Sequence, residues 1–170
     1  TLYREDPVPE PASKYDIPAV RPKGWAIAGF EIDGMKLNLK VGRWETDGVK
    51  EIWELLPEKG LQIEWNYPYA GNDVYLVMEG AVHVKADGHD FTARKRDVIN
   101  IPPYYKHTLT VLEEGTVIYA YNVQSCLMHA MERLKAEKIR TPENLKDWGY
   151  VEKILRENNC WVTGIRKITV

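Results

Sequence analysis

The fold is decided by residues 60–111, which read GLQIEWNYPYAGNDVYLVMEGAVHVKADGHDFTARKRDVINIPPYYKHTLTV. Residues 61–67 alternate apolar and polar side chains, which is typical of a half-buried β-strand. Asp87 and Gly88 are the residue pair of a short hairpin turn, in which both positions take positive φ. Further strand-like runs lie at residues 74–78, 81–85, 97–101 and 107–112. Short strands separated by turn signals predict a β-sandwich or barrel.

More strands are predicted on both sides of this stretch, at residues 25–32, 35–41, 49–56 and 116–123. The clearest alternation is that of residues 35–41, MKLNLKV, which predicts a strand with one face on the core and the other in water.

The residue pattern changes from strand-like to helical after residue 123. Residues 126–138 predict a helix whose inner face carries Leu127, Ala130, Met131 and Leu134 at helical spacing. Thr141 and Pro142 are typical of a helix start, and we expect one continuous second helix from there to Asn158. The last residues, 161–170, return to a strand-like pattern.

These elements predict a single domain over residues 1–170. Residues 1–24 hold half of the 10 prolines and predict an extended arm, because proline fixes φ and lacks an N–H. Residues 25–123 predict the barrel, and residues 124–170 predict an extension of two helices and a terminal strand. We expect the two helices to cover one sheet of the barrel.

The layout of the central stretch resembles the cupin family. That family's first motif is G-x5-H-x-H-x(3 or 4)-E-x6-G, and Gly60, Asp73 and Gly80 fall on its glycine, acid and glycine. Its second motif is G-x5-P-x-G-x2-H-x3-N, on which Pro102 and His107 match in register. The resemblance implies an all-β, cupin-like barrel of the jelly-roll type, with its site inside.

Most metal-binding positions of the family carry other residues here. Depending on the gap in the first motif, its two histidines are replaced by Asn66 and Pro68 or by Tyr67 and Tyr69. The family's site usually has three histidines and one carboxylate, and of these the second-motif histidine, His107, is kept. We therefore expect no resident metal; if one is bound, it is a divalent transition metal near His107.

The other departures concern the acid and the second motif. Asp73 stands in place of the family's glutamate, and it is a shorter carboxylate. Arg96, Tyr104 and Val111 replace the second motif's two glycines and its asparagine.

The candidate site residues follow from this register. His107 and Asp73 are the candidates for acid–base chemistry, and His107 has the side chain suited to it near neutral pH. Tyr75 shares a strand face with Asp73, because strand residues two apart point the same way. Trp65 and Tyr67 are expected to wall the cavity. The predicted ligand-binding set is therefore Trp65, Tyr67, Asp73, Tyr75 and His107.

The sequence leaves open which face of the strand at 61–67 lines the cavity. If Asn66 faces inward, Gln62 and Glu64 do too, and the interior is polar. If Tyr67 faces inward, so does Trp65, and the interior is apolar and aromatic. Small barrels fill their interiors with side chains, which favours the aromatic interior, whereas the match of Gly60 to the first motif favours the polar one.

Composition limits the partners. A net charge of -2, with both signs mixed along the chain, argues against nucleic acid or a membrane surface as a partner. The first residues, TLYREDPVPEP, contain no signal-peptide pattern, so we expect a cytoplasmic protein. Cys126 and Cys160 are expected to be buried, reduced thiols.

Two function hypotheses remain. The first is a protein that binds a small organic molecule in an aromatic-lined cavity, with a degenerate or absent metal site. The alternative is an enzyme: a metal-dependent oxygenase, isomerase or lyase, or a metal-free acid–base catalyst using His107. The missing histidines favour the first hypothesis. We also expect a homodimer, since the apolar side chains of the arm have no evident use in a lone barrel.

Overall fold

The protein is described from a computed structural model, which describes residues 19–46, 48, 50–66, 73–122 and 126–170. Tyr67, and most of the arm predicted for residues 1–24, lie outside these residues. The strands are β1 (Ala28–Ile32), β2 (Met35–Val41), β3 (Glu51–Pro57), β4 (Leu61–Trp65), β5 (Asp73–Glu79), β6 (Ala81–Ala86), β7 (His89–Arg94), β8 (Val98–Ile101), β9 (His107–Val111), β10 (Val117–Asn122) and β11 (Val162–Lys167). The helices are α1 (Leu127–Arg140) and α2 (Trp148–Glu157), with 3-10 turns at Arg43–Thr46 and Pro142–Lys146.

The strands form two antiparallel sheets. Sheet A has the order β1-β2-β3-β10-β5-β8, and sheet B has the order β11-β4-β9-β6-β7. Within them, β3-β10-β5-β8 and β4-β9-β6-β7 are the two faces of a jelly roll, in which an antiparallel ribbon is folded over on itself. The predicted all-β, cupin-like barrel is confirmed by this strand order.

The two sheets pack through alternating inward side chains. On β4, Leu61, Ile63 and Trp65 are buried, while Gln62 and Glu64 are only half-buried. This settles the open question of strand parity: the apolar face of β4 lines the interior. The hairpin turn between β6 and β7 is confirmed as well.

The sequence predicted that the outer face of β2 lies in water, but part of that face is covered. Lys40 is only 4% exposed. Its Nζ donates to the carbonyl oxygens of Pro22, at 2.5 Å, and Trp25, at 2.6 Å. Glu54 on β3 accepts a hydrogen bond from the backbone N–H of Gly24 at 3.1 Å and lies 3.8 Å from the Lys40 Nζ. The segment that precedes β1 therefore covers this face, held by a buried ion pair.

The prediction of one continuous second helix is wrong. The chain makes a 3-10 turn at Pro142–Lys146, and α2 starts afresh at Trp148. Asp147 is its N-cap, and the Asp147 side chain accepts from the backbone N–H of Gly149 at 2.9 Å. An aspartate in extended conformation satisfies the free amides of a helix start, which here favours a new start over continuation.

The terminal strand completes sheet B. Strand β11 pairs antiparallel with β4, so the end of the chain returns to the barrel instead of standing apart from it. None of the described helices is long and apolar enough to cross a membrane.

Candidate functional site

His107 is the buried polar residue at the centre of the candidate site. It begins β9, where it pairs with Trp65 of β4 and Ala86 of β6, and it is 1% exposed. Its Nδ1 lies 3.4 Å from the carbonyl oxygen of Tyr105, and its Nε2 lies 3.2 Å from the hydroxyl of Tyr75. Both ring nitrogens therefore face a polar partner inside the barrel.

These partners define the proton position on the ring. A carbonyl oxygen only accepts, so Nδ1 carries the proton and donates to Tyr105. Nε2 is then the acceptor of the Tyr75 hydroxyl. Burial lowers the pKa of His107 to about 4, against the hydrogen bond to the Tyr105 carbonyl, which raises it. The imidazole is neutral at neutral pH.

Asp73 is the charged neighbour of this imidazole. It begins β5, and its Oδ2 lies 3.6 Å from Nε2 of His107. The Asp73 side chain is largely buried, at 12% exposure. A proton taken up at Nε2 would place an imidazolium against this carboxylate, an attraction that favours the charged ring. The pair thus has the parts for moving a proton.

Trp65 packs flat on His107. The two ring centres are 4.9 Å apart and the planes differ by 10°. Tyr75 is tilted against both rings, with centres 5.8 Å from Trp65 and 6.0 Å from His107. The structure therefore brings together Trp65, Asp73, Tyr75 and His107, which we call the His107 cluster. The contact of these residues with a ligand stays a prediction.

A cavity of about 80 Å³ lies beside the His107 cluster, between the sheets. Its lining residues are mostly aliphatic or aromatic: Ile32, Met35, Leu37, Trp53, Leu55, Ile63, Trp65, Asp73, Tyr75, Ala120, Tyr121, Leu127, Met131, Leu155, Cys160, Val162 and Ile165. His107 stands one side chain back from this wall, behind Trp65 and Tyr75. The Tyr75 hydroxyl and the Asp73 carboxylate, both on residues of the wall, lie 3.2 Å and 3.6 Å from its Nε2.

The C-terminal extension forms part of the cavity wall, which the sequence did not predict. Leu127 and Met131 of α1 and Leu155 of α2 line it, and Cys160 follows on the way to β11. The signal was present in the apolar faces of the two helices, but those faces fit the cover of an outer sheet face equally well. Both cysteines are buried free thiols, as expected.

The metal ligands that the resemblance implies are not assembled in the described part of the chain. No group of three or more His, Cys, Asp or Glu side chains there could hold a metal ion. Asn66, a ligand position in one register, is exposed. His107 and Asp73 supply two donors, whereas transition metals in proteins usually have about four ligands. These two residues alone do not fit a resident metal.

The chain is similar to known proteins in structure but not in sequence. No family model and no curated protein matches the chain. An RmlC-like cupin from Shewanella frigidimarina is similar at 18% identity and a TM-score of 0.49, over 62% of this chain and 92% of that one. KdgF from Halomonas sp. is similar at 12% identity and a TM-score of 0.49, over 57% and 87%. Ectoine synthase from P. lautus is similar at 11% identity and a TM-score of 0.48, over 56% and 68%.

Proposed function

The chain has the cupin fold, and from that premise we propose that it binds a small organic molecule in the aromatic-lined cavity of its barrel. The observation that carries the proposal is the cavity between the sheets, with Trp65, Asp73 and Tyr75 in one wall. Ligand sites are typically mostly apolar cavities with a few placed polar groups, and this wall has that composition.

The size of the cavity limits the ligand. A volume of about 80 Å³ exceeds what one water molecule needs several times over, and suits a molecule of a few non-hydrogen atoms. Apolar walls offer water few hydrogen bonds, so a ligand with an apolar body gains by replacing it.

The test blocks the cavity from within. Ala120 lines it from β10, and Ala120→Leu places a larger side chain in the same space. Saturation-transfer NMR with isobutanol and cyclopentanol is expected to detect binding to the wild-type protein and none to Ala120→Leu. Ala19→Leu, at an exposed position, is the matched control and keeps the binding. Binding that survives the blocked cavity, or is absent from the wild type, contradicts the proposal.

A second candidate function is metal-free acid–base catalysis. The neutral His107 with its Nε2 lone pair toward Tyr75, and Asp73 at 3.6 Å, favours it. In that role a proton from the ligand would pass through the Tyr75 hydroxyl to Nε2, and Asp73 would stabilise the imidazolium. Nothing in the wall marks a particular reaction, so binding is the primary proposal.

We also propose a homodimer that uses the outer face of sheet A. Met78, Val98 and Tyr121 lie on the neighbouring strands β5, β8 and β10, and their exposures are 37%, 64% and 37%. Apolar side chains gathered on one exposed face are typical of interaction surfaces. The ligand partner is a small molecule and not nucleic acid, in line with the net charge of -2, and cytoplasmic localisation stays a prediction.

A further inference from the structure

The wall of the cavity carries a single kind of charge. Among the described residues that line it, Asp73 is the charged one, and the others are apolar, aromatic or thiol side chains. A ligand in this cavity therefore meets a carboxylate and no cationic side chain of the described wall.

This charge pattern disfavours anionic ligands. A carboxylate or phosphate in an apolar cavity needs a cation or several donors to offset its lost hydration. His107, the nearest basic side chain to Asp73 in the cluster, is buried and neutral at neutral pH. An anion would instead face the like charge of Asp73.

Asp73, Tyr75 and Trp65 together offer favourable contacts to a cationic ligand. Oδ2 of Asp73 and the Tyr75 hydroxyl both lie close to Nε2 of His107, at 3.6 Å and 3.2 Å, so the two oxygens belong to one corner of the site. The Trp65 ring lies 5.8 Å from the Tyr75 ring in that corner. A carboxylate beside electron-rich rings is the combination that recognises ammonium groups, by charge-assisted hydrogen bonding and cation–π attraction.

We infer that the ligand of this cavity is a small amine, bound as its ammonium ion with the charged group at Asp73 and the apolar body against the aliphatic wall. The inference rests on the proposed function, since it names the class of ligand for the same cavity. Asp73 acts in it as a specificity-determining residue.

The test compares ligands of one shape and different charge. Isobutylamine, isobutanol and isobutyrate are titrated into the wild-type protein at pH 7 by calorimetry. Isobutylamine is expected to bind roughly tenfold or more tighter than isobutanol, because a hydrogen bond to a charged group contributes more than a neutral one. Isobutyrate is expected to show no binding.

Failure of the inference differs from failure of the proposed function. Isobutanol or isobutyrate binding as tightly as isobutylamine overturns the inference and leaves the cavity a binding site. No binding by any of the three compounds overturns the inference and counts against the proposed function as well. The comparison needs no variant, so it does not depend on a substituted protein folding.

Two variants test whether the preference for the amine comes from the Asp73 carboxylate. Asp73→Asn is expected to weaken isobutylamine binding by roughly tenfold or more, and to change isobutanol binding by less than about threefold. Asp90→Asn, at an exposed position on β7, is the matched control and leaves both unchanged. Equal losses for the amine and the alcohol in Asp73→Asn would contradict a charge-specific role.

Discussion

The hydroxyl of Tyr75 lies 3.2 Å from Nε2 of His107, and it joins a fully buried imidazole to the wall of a cavity. Tyr75 is part of that wall, whereas His107 is not. The Tyr75 hydroxyl therefore offers a path for proton exchange between a ligand and the imidazole, and Asp73, which also lines the wall, lies 3.6 Å from the same nitrogen. The relationship also fixes the state of the ring, since the hydroxyl donates to Nε2 while Nδ1 donates to the Tyr105 carbonyl.

The buried imidazole makes stability depend on pH. The pKa of His107 is lowered to about 4 by burial, from 6.5, so between these values the unfolded chain binds a proton that the folded chain does not. Stability is fully present above pH 6.5 and falls as the pH drops toward about 4. The expected loss in the free energy of unfolding is about 3 kcal/mol, at about 1.4 kcal/mol per pH unit.

Urea denaturation at a series of pH values measures this loss. His107→Gln should remove most of the slope between pH 4 and 6.5, whatever its effect on stability at pH 7. His89→Gln, at an exposed position on β7, is the control and keeps the wild-type slope. An unchanged slope in His107→Gln would show that other groups cause the pH dependence.

The buried Lys40–Glu54 pair is expected to be costly to break. Lys40→Met leaves the Glu54 carboxylate buried without its cation and removes the donor to the Pro22 and Trp25 carbonyls. The free energy of unfolding should fall by about 3–5 kcal/mol, measured by urea denaturation. Lys36→Met, at an exposed position of the same strand, should change it by less than about 0.5 kcal/mol. A small loss in Lys40→Met would mean that Glu54 is held by its other donors alone.

Two residues that replace family glycines keep a glycine-like backbone. Arg96 has a φ of 75° and Tyr104 a φ of 68°, in the left-handed region that costs a side chain about 1–2 kcal/mol. Tyr104 is 68% exposed, so Tyr104→Gly loses little packing. After the larger backbone entropy of glycine is counted, we expect a gain of about 0.5–1 kcal/mol in the free energy of unfolding.

The matched variant for this prediction is Tyr104→Ala, which removes the ring and keeps the Cβ. It should show no gain, because the strain comes from the Cβ. If Tyr104→Ala and Tyr104→Gly change the thermal midpoint equally, the strain does not exist.

The homodimer proposal is tested by sedimentation velocity at micromolar concentration. The wild-type chain is expected to sediment as a dimer, and Val98→Glu as a monomer, because a charge on the outer face of sheet A cannot be buried without a partner. Val20→Glu changes an exposed valine outside the sheets and should remain dimeric. A wild-type protein that sediments only as a monomer contradicts the proposal.

The strands could be predicted from the local alternation of side chains, and the approach of Asp73 to His107 could be predicted from the spacing of the motifs. The alternation of residues 35–41 predicts β2 with the bounds that the structure shows. The register of Asp73 and His107 predicts that they meet, and they lie 3.6 Å apart. Such features need only the period of a strand and the spacing of a motif.

The remaining features depend on long-range packing. The alternation of β2 predicts that Lys40 faces solvent, and only the fold shows that the segment before β1 lies over it. Likewise, the sequence predicts that the helical extension covers a sheet, and only the fold shows that Leu127, Met131 and Leu155 line the cavity. The split of the second helix depends on competition between two caps, Thr141 and Asp147, that both fit a helix start.

Crystal structures of the protein soaked with isobutylamine and, separately, with isobutanol show where each compound lies, and so test whether the cavity between the sheets is a ligand site. We expect electron density for the compound in that cavity, in contact with Trp65 and Tyr75, with the amine nitrogen within hydrogen-bonding distance of Asp73. Compound bound only on the outer surface, with side chains filling the space between these residues, would contradict it.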